Sequence, residues 1–283
     1  MSLPETGGSI RLSGVPKVAR SRGTPRKRKA HRGGVRWLRV LLVALCCVGA
    51  VALAFWLSLP SAESLRHENP SSTELIIQRA DEARARGRAA RRSQQWVPLA
   101  RISPWLREAV VNSEDARFYL HHGIDRVQLS LAIEKAADDG RLGRGASTLT
   151  QQLAKNLWLG GERSLLRKAK EYFLAERLER LGKQRILELY LNVVEWGDGI
   201  YGAEAAARTW FGKPASALTP EEAAILAAML PAPRKRNPRK PSLRLRTRSW
   251  QVLDLFAMYH QLDAAQLQAA HERMRSLIGA PPD

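Results

Sequence analysis

From Val40 to Leu59 the chain runs for twenty residues without a charged side chain. A helix rises about 1.5 Å per residue, so this run covers roughly the 30 Å hydrocarbon core of a bilayer. A helix packed on one face of a soluble core carries polar positions on the other; a uniform run of this length suits a membrane span instead. A cleaved leader fits less well, because the run starts far from the N-terminus and lacks an A-x-A exit. Residues 1–36 carry ten Lys and Arg against Glu5 alone. Such an imbalance keeps a tail on the cytoplasmic side and sends the chain beyond the span across the membrane. Directly before a span these charges fit topology and anionic lipid better than nucleic acid. Trp37 and Trp56 stand near the ends as interface anchors. Both cysteines, Cys46 and Cys47, lie within the run. The exported part is therefore expected to have neither a disulfide nor a cysteine metal site, and must rely on a packed core.

A content of 45% hydrophobic and 26% charged residues suits such a core. Residues 60–95 read as a polar, Arg-rich linker, helical over Thr73 to Arg92, that lifts the folded domain off the bilayer. Beyond it the apolar spacing is helical and no run of alternating strands is visible. Thr219, Pro220 and Glu222 predict a capping box opening a helix that Pro231 ends. Ile186, Leu187, Tyr190, Leu191 and Val194 mark a helix from Lys183. Ala203 to Phe211 predicts a short helix behind the Gly197-Asp198-Gly199 turn. A last helix is expected over Ser249 to Ile278. The fold class expected is mainly α. Arg234 to Arg248 holds eight basic residues and no acid, either a solvated face or a contact for phosphate groups.

Metalloprotease, C-x-x-C, G-x-S-x-G and P-loop patterns are missing. Chemistry must come from two dense clusters. In Asn112-Ser113-Glu114-Asp115-Ala116-Arg117-Phe118-Tyr119-Leu120-His121-His122-Gly123, an acid pair precedes aromatic rings and a His pair. A carboxylate beside apolar rings can hold a proton acceptor near the working pH. In Gly143-Arg144-Gly145-Ala146-Ser147-Thr148-Leu149-Thr150-Gln151-Gln152-Leu153-Ala154-Lys155-Asn156, a glycine loop leads to a helix capped by Ser147 or Thr148. Its buried stripe is Leu149, Leu153 and Leu157. Its other side carries Thr148, Gln151, Gln152, Lys155 and Asn156, suited to sugars and phosphates. A helix over Arg163 to Leu181 puts Arg167 and Lys168 beside Glu171.

In order and spacing these runs, with Ile186 to Asn192 and Tyr201-Gly202 to Lys213, resemble peptidoglycan glycosyltransferases over about Leu99 to Asn237. The Glu195 to Tyr201 connection resembles the monofunctional biosynthetic transglycosylases of that family. Ala146 and Trp210 depart mildly from its pattern. No Ser-x-x-Lys or Lys-Thr-Gly element of a transpeptidase domain is present after it.

The resemblance implies a lysozyme-like helical large lobe around a catalytic Glu, with a small jaw against the membrane. Five segments are expected: tail 1–36, anchor 37–59, linker 60–95, glycosyltransferase domain 96–240 and helical extension 241–283. The activity implied joins lipid II units into β-1,4-linked glycan, inverting the anomeric carbon and releasing polyprenyl diphosphate. Glu114 would take the acceptor's proton, supported by Asp115, and Glu171 would act with it. Phe118, His122, Gly123, Ser147, Thr148, Gln151, Gln152, Lys155, Asn156, Arg167 and Lys168 would bind substrate. No organic cofactor is implied; a divalent ion, Mg or Mn, at Glu171 stays open. Partners implied are lipid II, the growing strand, the membrane and other cell wall synthesis or division proteins, not nucleic acid. The place implied is a bacterial inner membrane, with the N-terminus cytoplasmic and the domain periplasmic. The rivals are a lytic transglycosylase or lysozyme-like enzyme that cuts glycan, and an anchored scaffold.

Overall fold

A computed structural model describes residues 31–139, 147–161, 164–259 and 261–281. The basic tail up to residue 30 and the glycine run Gly143 to Ala146 lie outside the described residues. The chain divides into two compact units, Met1–Trp56 and Leu57–Asp283.

The described part of the first unit is helical. Helix α1, His31–Leu57, contains the 22-residue stretch Arg36–Leu57, with a mean hydropathy of 2.8 and no buried residue in its most apolar window. It is long and apolar enough to cross a membrane, and Cys46 and Cys47 are exposed on it. The helix stops at Leu57 rather than Leu59. Proline disfavours helical geometry in the residue before it, so Pro60 sets Leu59 outside the helix. Leu59 is buried in the second unit, where its carbonyl accepts from Arg177 at 2.7 Å.

The second unit is mainly α, consistent with a lysozyme-like fold. In chain order it holds α2 Glu74–Ala85, β1 Ser93–Gln94, α3 Pro104–Glu114, α4 Arg126–Asp139, α5 Leu149–Ala154, α6 Leu165–Glu179 and α7 Lys183–Val193. Then come β2 Glu195–Gly197, β3 Ile200–Tyr201, α8 Ala203–Phe211, α9 Pro220–Met229, α10 Leu243–Met258 and α11 Ala264–Ile278. Helix α9 is apolar on every side and buried from Glu221 to Met229, which marks it as a central helix; α3, α10 and α11 pack around it. Its capping box forms as the sequence predicts, with Thr219 N–H donating to Glu222 at 3.0 Å. Elsewhere in the unit α5 packs against α6 and α7.

Three expectations change. The stretch 60–95 belongs to the folded unit and not to a free linker: α2 packs beside residues 155–159, and Gln94 donates to the Asn192 carbonyl at 2.9 Å. The last helix is two helices, because Asp263 and Gln266 form a further capping box that starts α11 afresh. A small sheet exists, in the order β1-β3-β2, with β1 parallel and β2 antiparallel to β3. Strands of two or three residues are too short to leave an alternating pattern.

Gly197 to Gly202 has the G-x-G-x-x-G spacing of a dinucleotide fingerprint, yet here it forms the β2–β3 hairpin and the entry to α8. Gly202 has φ +82°, and a Cβ there would sit 2.7 Å from the Asn192 carbonyl oxygen. Trp196, fully enclosed, ties this hairpin to α9 by donating from its indole to the Leu226 carbonyl at 2.9 Å.

Candidate functional site

Glu114 is the last residue of α3, so its side chain leaves the core where the helix ends. Gln152 on α5 donates its amide to Glu114 Oε2 at 3.2 Å, and Tyr190 on α7 donates its hydroxyl to Gln152 Oε1 at 2.9 Å. An amide held at its oxygen can point its N–H2 one way only, so Tyr190 sets the orientation that Gln152 offers to the carboxylate. Burial raises the Glu114 pKa above the ordinary carboxylate value, opposed by Gln152 and by the charges of Arg248, Arg236 and Lys155. Burial also raises the Tyr190 hydroxyl well above its usual value, so it remains a donor. Tyr190→Phe should lose one hydrogen bond worth about 1 kcal/mol, a fall of about fivefold in kcat with KM little changed. Steady-state kinetics would check this, and an unchanged kcat would leave Tyr190 a packing residue alone.

Gln152 also lines a cavity of about 330 Å³ with Lys155, Asn156, Arg167, Arg79 and Glu195, while Glu114 lines a neighbouring hollow of about 190 Å³ with Ser147 and Thr148. The hydrogen bond between them joins the two. Residues Lys155–Leu159 form a turn of π-helix, a feature that often re-aims side chains at functional sites. Burial lowers the Lys155 pKa; Glu171 opposes this, whereas Arg167 and Lys168 add to it. Glu171 is buried, with Arg167 at 2.9 Å from one carboxylate oxygen and Lys168 on the other. Lys168 also donates to the Ser147 hydroxyl at 3.2 Å. Both Glu171 oxygens face cations, which leaves this carboxylate charge-paired within the protein.

Several residues expected to bind substrate also make contacts within the fold. Phe118 is fully enclosed beneath the Lys183 ammonium, 4.5 Å from its ring centre, and offers no surface to a ligand. Gly123 has φ +75°, and a Cβ there would press on the Ala175 backbone at 3.2 Å. Thr148 and Gln151 satisfy each other as the capping box of α5, and the Thr148 hydroxyl donates to the Gly123 carbonyl. His122 is exposed; its neighbour His121 is the buried one, 3.0 Å from Asp115 through Nε2. Asp115 also accepts from the Leu149 N–H at 2.9 Å, so it clamps the end of α3 to the N-terminus of α5, where the helix dipole favours an anion.

The pair of Arg79 and Glu195, 3.0 Å apart, was not legible in the sequence. Arg79 lies on α2, inside the stretch that reads as linker. Glu195 was visible only as the start of a run. Its Oε1 is buried without a hydrogen-bond partner, and burial raises its pKa against the charge of Arg79.

Comparison with known proteins places the chain in a family. A transglycosylase family model matches residues 81–257. A biosynthetic peptidoglycan transglycosylase of Azoarcus sp. is 48% identical over 202 residues, covering 71% of this chain and 86% of that protein. One of Nitrosospira multiformis is 45% identical over 183 residues, covering 64% and 80%. One of Rhodospirillum centenum is 52% identical over 157 residues, covering 55% and 68%. The matched region takes in α3 through most of α10, and with it Glu114, Gln152, Lys155 and Glu171, so the chain belongs to the transglycosylase family.

Proposed function

We propose that this chain is a peptidoglycan glycosyltransferase of cell wall synthesis that polymerises lipid II, with Glu114 as general base. The observation that carries the proposal is a half-buried carboxylate of raised proton affinity, held by Gln152, beside a cavity lined with cations. A sugar hydroxyl is a poor nucleophile at neutral pH, so a positioned base must take its proton as the bond forms. The acceptor 4-hydroxyl attacks the anomeric carbon of the donor and the bond to diphosphate breaks, turning the α-linkage into β-1,4. Lys155 and Arg167 stabilise the charge growing on the departing diphosphate, as cations fixed before reaction do. Glu171 holds Arg167 in place, and its charge opposes the lowering of the Lys155 pKa by burial. Exposed apolar side chains on α4 (Val127, Leu131 and Ile133) and at the start of α6 (Leu165 and Leu166) support a jaw that meets lipid.

A hydrolytic enzyme would need no diphosphate-binding cations beside its acid, which favours synthesis. Purified protein given lipid II should release polyprenyl diphosphate and build long glycan. Shortening of pre-formed strands, with no release, would overturn the proposal.

Helix α1 supports membrane anchoring, and we place the enzyme domain on the periplasmic side of an inner membrane because of the basic tail. Both substrates are lipids, so a tether confines the search to the bilayer surface. Replacing α1 by a cleaved leader should lower activity on membrane-embedded lipid II by on the order of tenfold or more, and activity on detergent-dispersed lipid II far less. Equal losses in the two assays would remove this role.

A further inference from the structure

Away from Glu114, a cavity of about 320 Å³ opens between the end of α2, the segment 86–91 that follows it and the β2–β3 hairpin, with Asp198 also in its lining. Five arginines line it: Arg79, Arg86, Arg88, Arg91 and Arg234. Two of them are already paired, Arg79 with Glu82 and Glu195, and Arg234 with Glu82 at 2.9 Å and Asp198 at 3.6 Å. Arg86, Arg88 and Arg91 have no carboxylate partner among the described residues. The wall they stand on is held tightly: Gly199, at φ +75°, approaches so closely that a Cβ would meet the Arg91 backbone oxygen at 2.7 Å. Tyr201 also lines the cavity. It is 1% exposed, yet its hydroxyl has no hydrogen-bond partner. Burial raises its pKa, so it is a neutral donor at any working pH.

A buried donor without an acceptor asks for an explanation, and three uncompensated guanidinium groups beside it state the sign of what is missing. Guanidinium forks match the paired oxygens of phosphate and carboxylate, and a hydroxyl adds one more directed bond. We propose that this cavity is an oxyanion-binding site, separate from the Glu114 cleft, in which Tyr201 donates from the floor and Arg86, Arg88 and Arg91 close over a phosphate or carboxylate group. Arg79 lines this cavity and the cation-lined one alike, so the two adjoin and one extended acidic ligand can engage both.

The test uses the full-length protein in neutral detergent, treated with the arginine reagent phenylglyoxal with and without millimolar inorganic phosphate. Chloride matched in ionic strength is the control for screening. Peptide mass spectrometry reads the rate at each arginine. Phosphate should slow modification of Arg88 and Arg91 by about fivefold, and leave Arg101, exposed and outside the cavity, unchanged. Tyr201→Phe, which removes only an unpartnered hydroxyl and keeps the fold, should lose most of that protection. Glu114→Gln should keep it, so failure here and failure of the polymerase proposal are distinguishable. Equal protection of Arg101, or full protection in Tyr201→Phe, would overturn the site. Repeating the measurement in bilayer discs separates the sources. Protection by phosphatidylglycerol without added ligand assigns the anion to membrane headgroups. Protection in phosphatidylcholine only when lipid II is added assigns it to the substrate.

Discussion

Glu114→Gln should lower lipid II polymerisation by about 10²–10⁴-fold, the usual contribution of a positioned general base, and should not lower the unfolding temperature. The two halves of this expectation have one cause. Burial makes the folded carboxyl hold its proton more tightly than the unfolded chain does. A group raised in this way favours folding below its unfolded pKa, and that contribution is lost as pH rises through the folded value. At neutral pH the ionised Glu114 therefore costs stability, and a neutral isostere that still meets Gln152 removes the cost. Calorimetry beside a lipid II assay would check both. Parent-rate turnover in the variant would remove Glu114 as the base. Lower stability would mean that Gln152 and the nearby cations outweigh desolvation.

The same shifts set the pH profile. Activity needs Glu114 ionised, so its acid limb should lie above the ordinary carboxylate value. It also needs Lys155 charged, and burial of Lys155 should bring the alkaline limb below the usual lysine value. In Tyr190→Phe the acid limb should move, because the Gln152 amide that opposes the rise is no longer fixed.

The largest loss of stability is expected from Trp196→Ala, about 3–5 kcal/mol for a fully enclosed large aromatic ring. For a domain of this size that lowers the unfolding temperature by roughly 10 °C or more. The ring fills the space between the hairpin and α9, and its indole bond to Leu226 holds β2 in register with that helix. Trp210 donates in turn to the Trp196 carbonyl at 3.0 Å, so the departure from the family pattern at Trp210 is used in packing this hairpin. Because Glu195 precedes Trp196, loosening the ring should also release Arg79 and widen the cation-lined cavity. Trp196→Phe, which keeps most of the volume and drops the bond, should lose markedly less. Denaturant unfolding of both variants would separate packing from the hydrogen bond.

The helices that carry the site were legible because each has a local signature. The buried stripe Leu149, Leu153 and Leu157, the capping box at Thr219 and the limits of α8 depend on residues within one or two turns of one another. The apolar helix α1 was legible for the same reason, since length and absence of charge are properties of a single run. The break at Asp263 was readable in principle from the Asp263–Gln266 spacing, but the apolar pattern on both sides disguised it as one helix.

What only the tertiary structure decided is which chemically suitable side chain faces the cavity and which is consumed in building it. Thr148 and Gln151 have the same sugar-binding chemistry as Gln152, yet the Thr148 hydroxyl and the Gln151 side-chain oxygen are engaged in the α5 cap, and it is Gln152 that reaches Glu114. His121 and His122 are adjacent and alike, and a difference in burial assigns the pairing with Asp115 to the first. Arg79 and Glu195 are 116 positions apart, so no local pattern could join them. Composition, periodicity and capping act over a few residues and determined the long apolar helix, the other helices and the carboxylate clusters. Hydrogen-bond satisfaction and desolvation act between segments distant in the chain, and these decided the geometry around Glu114.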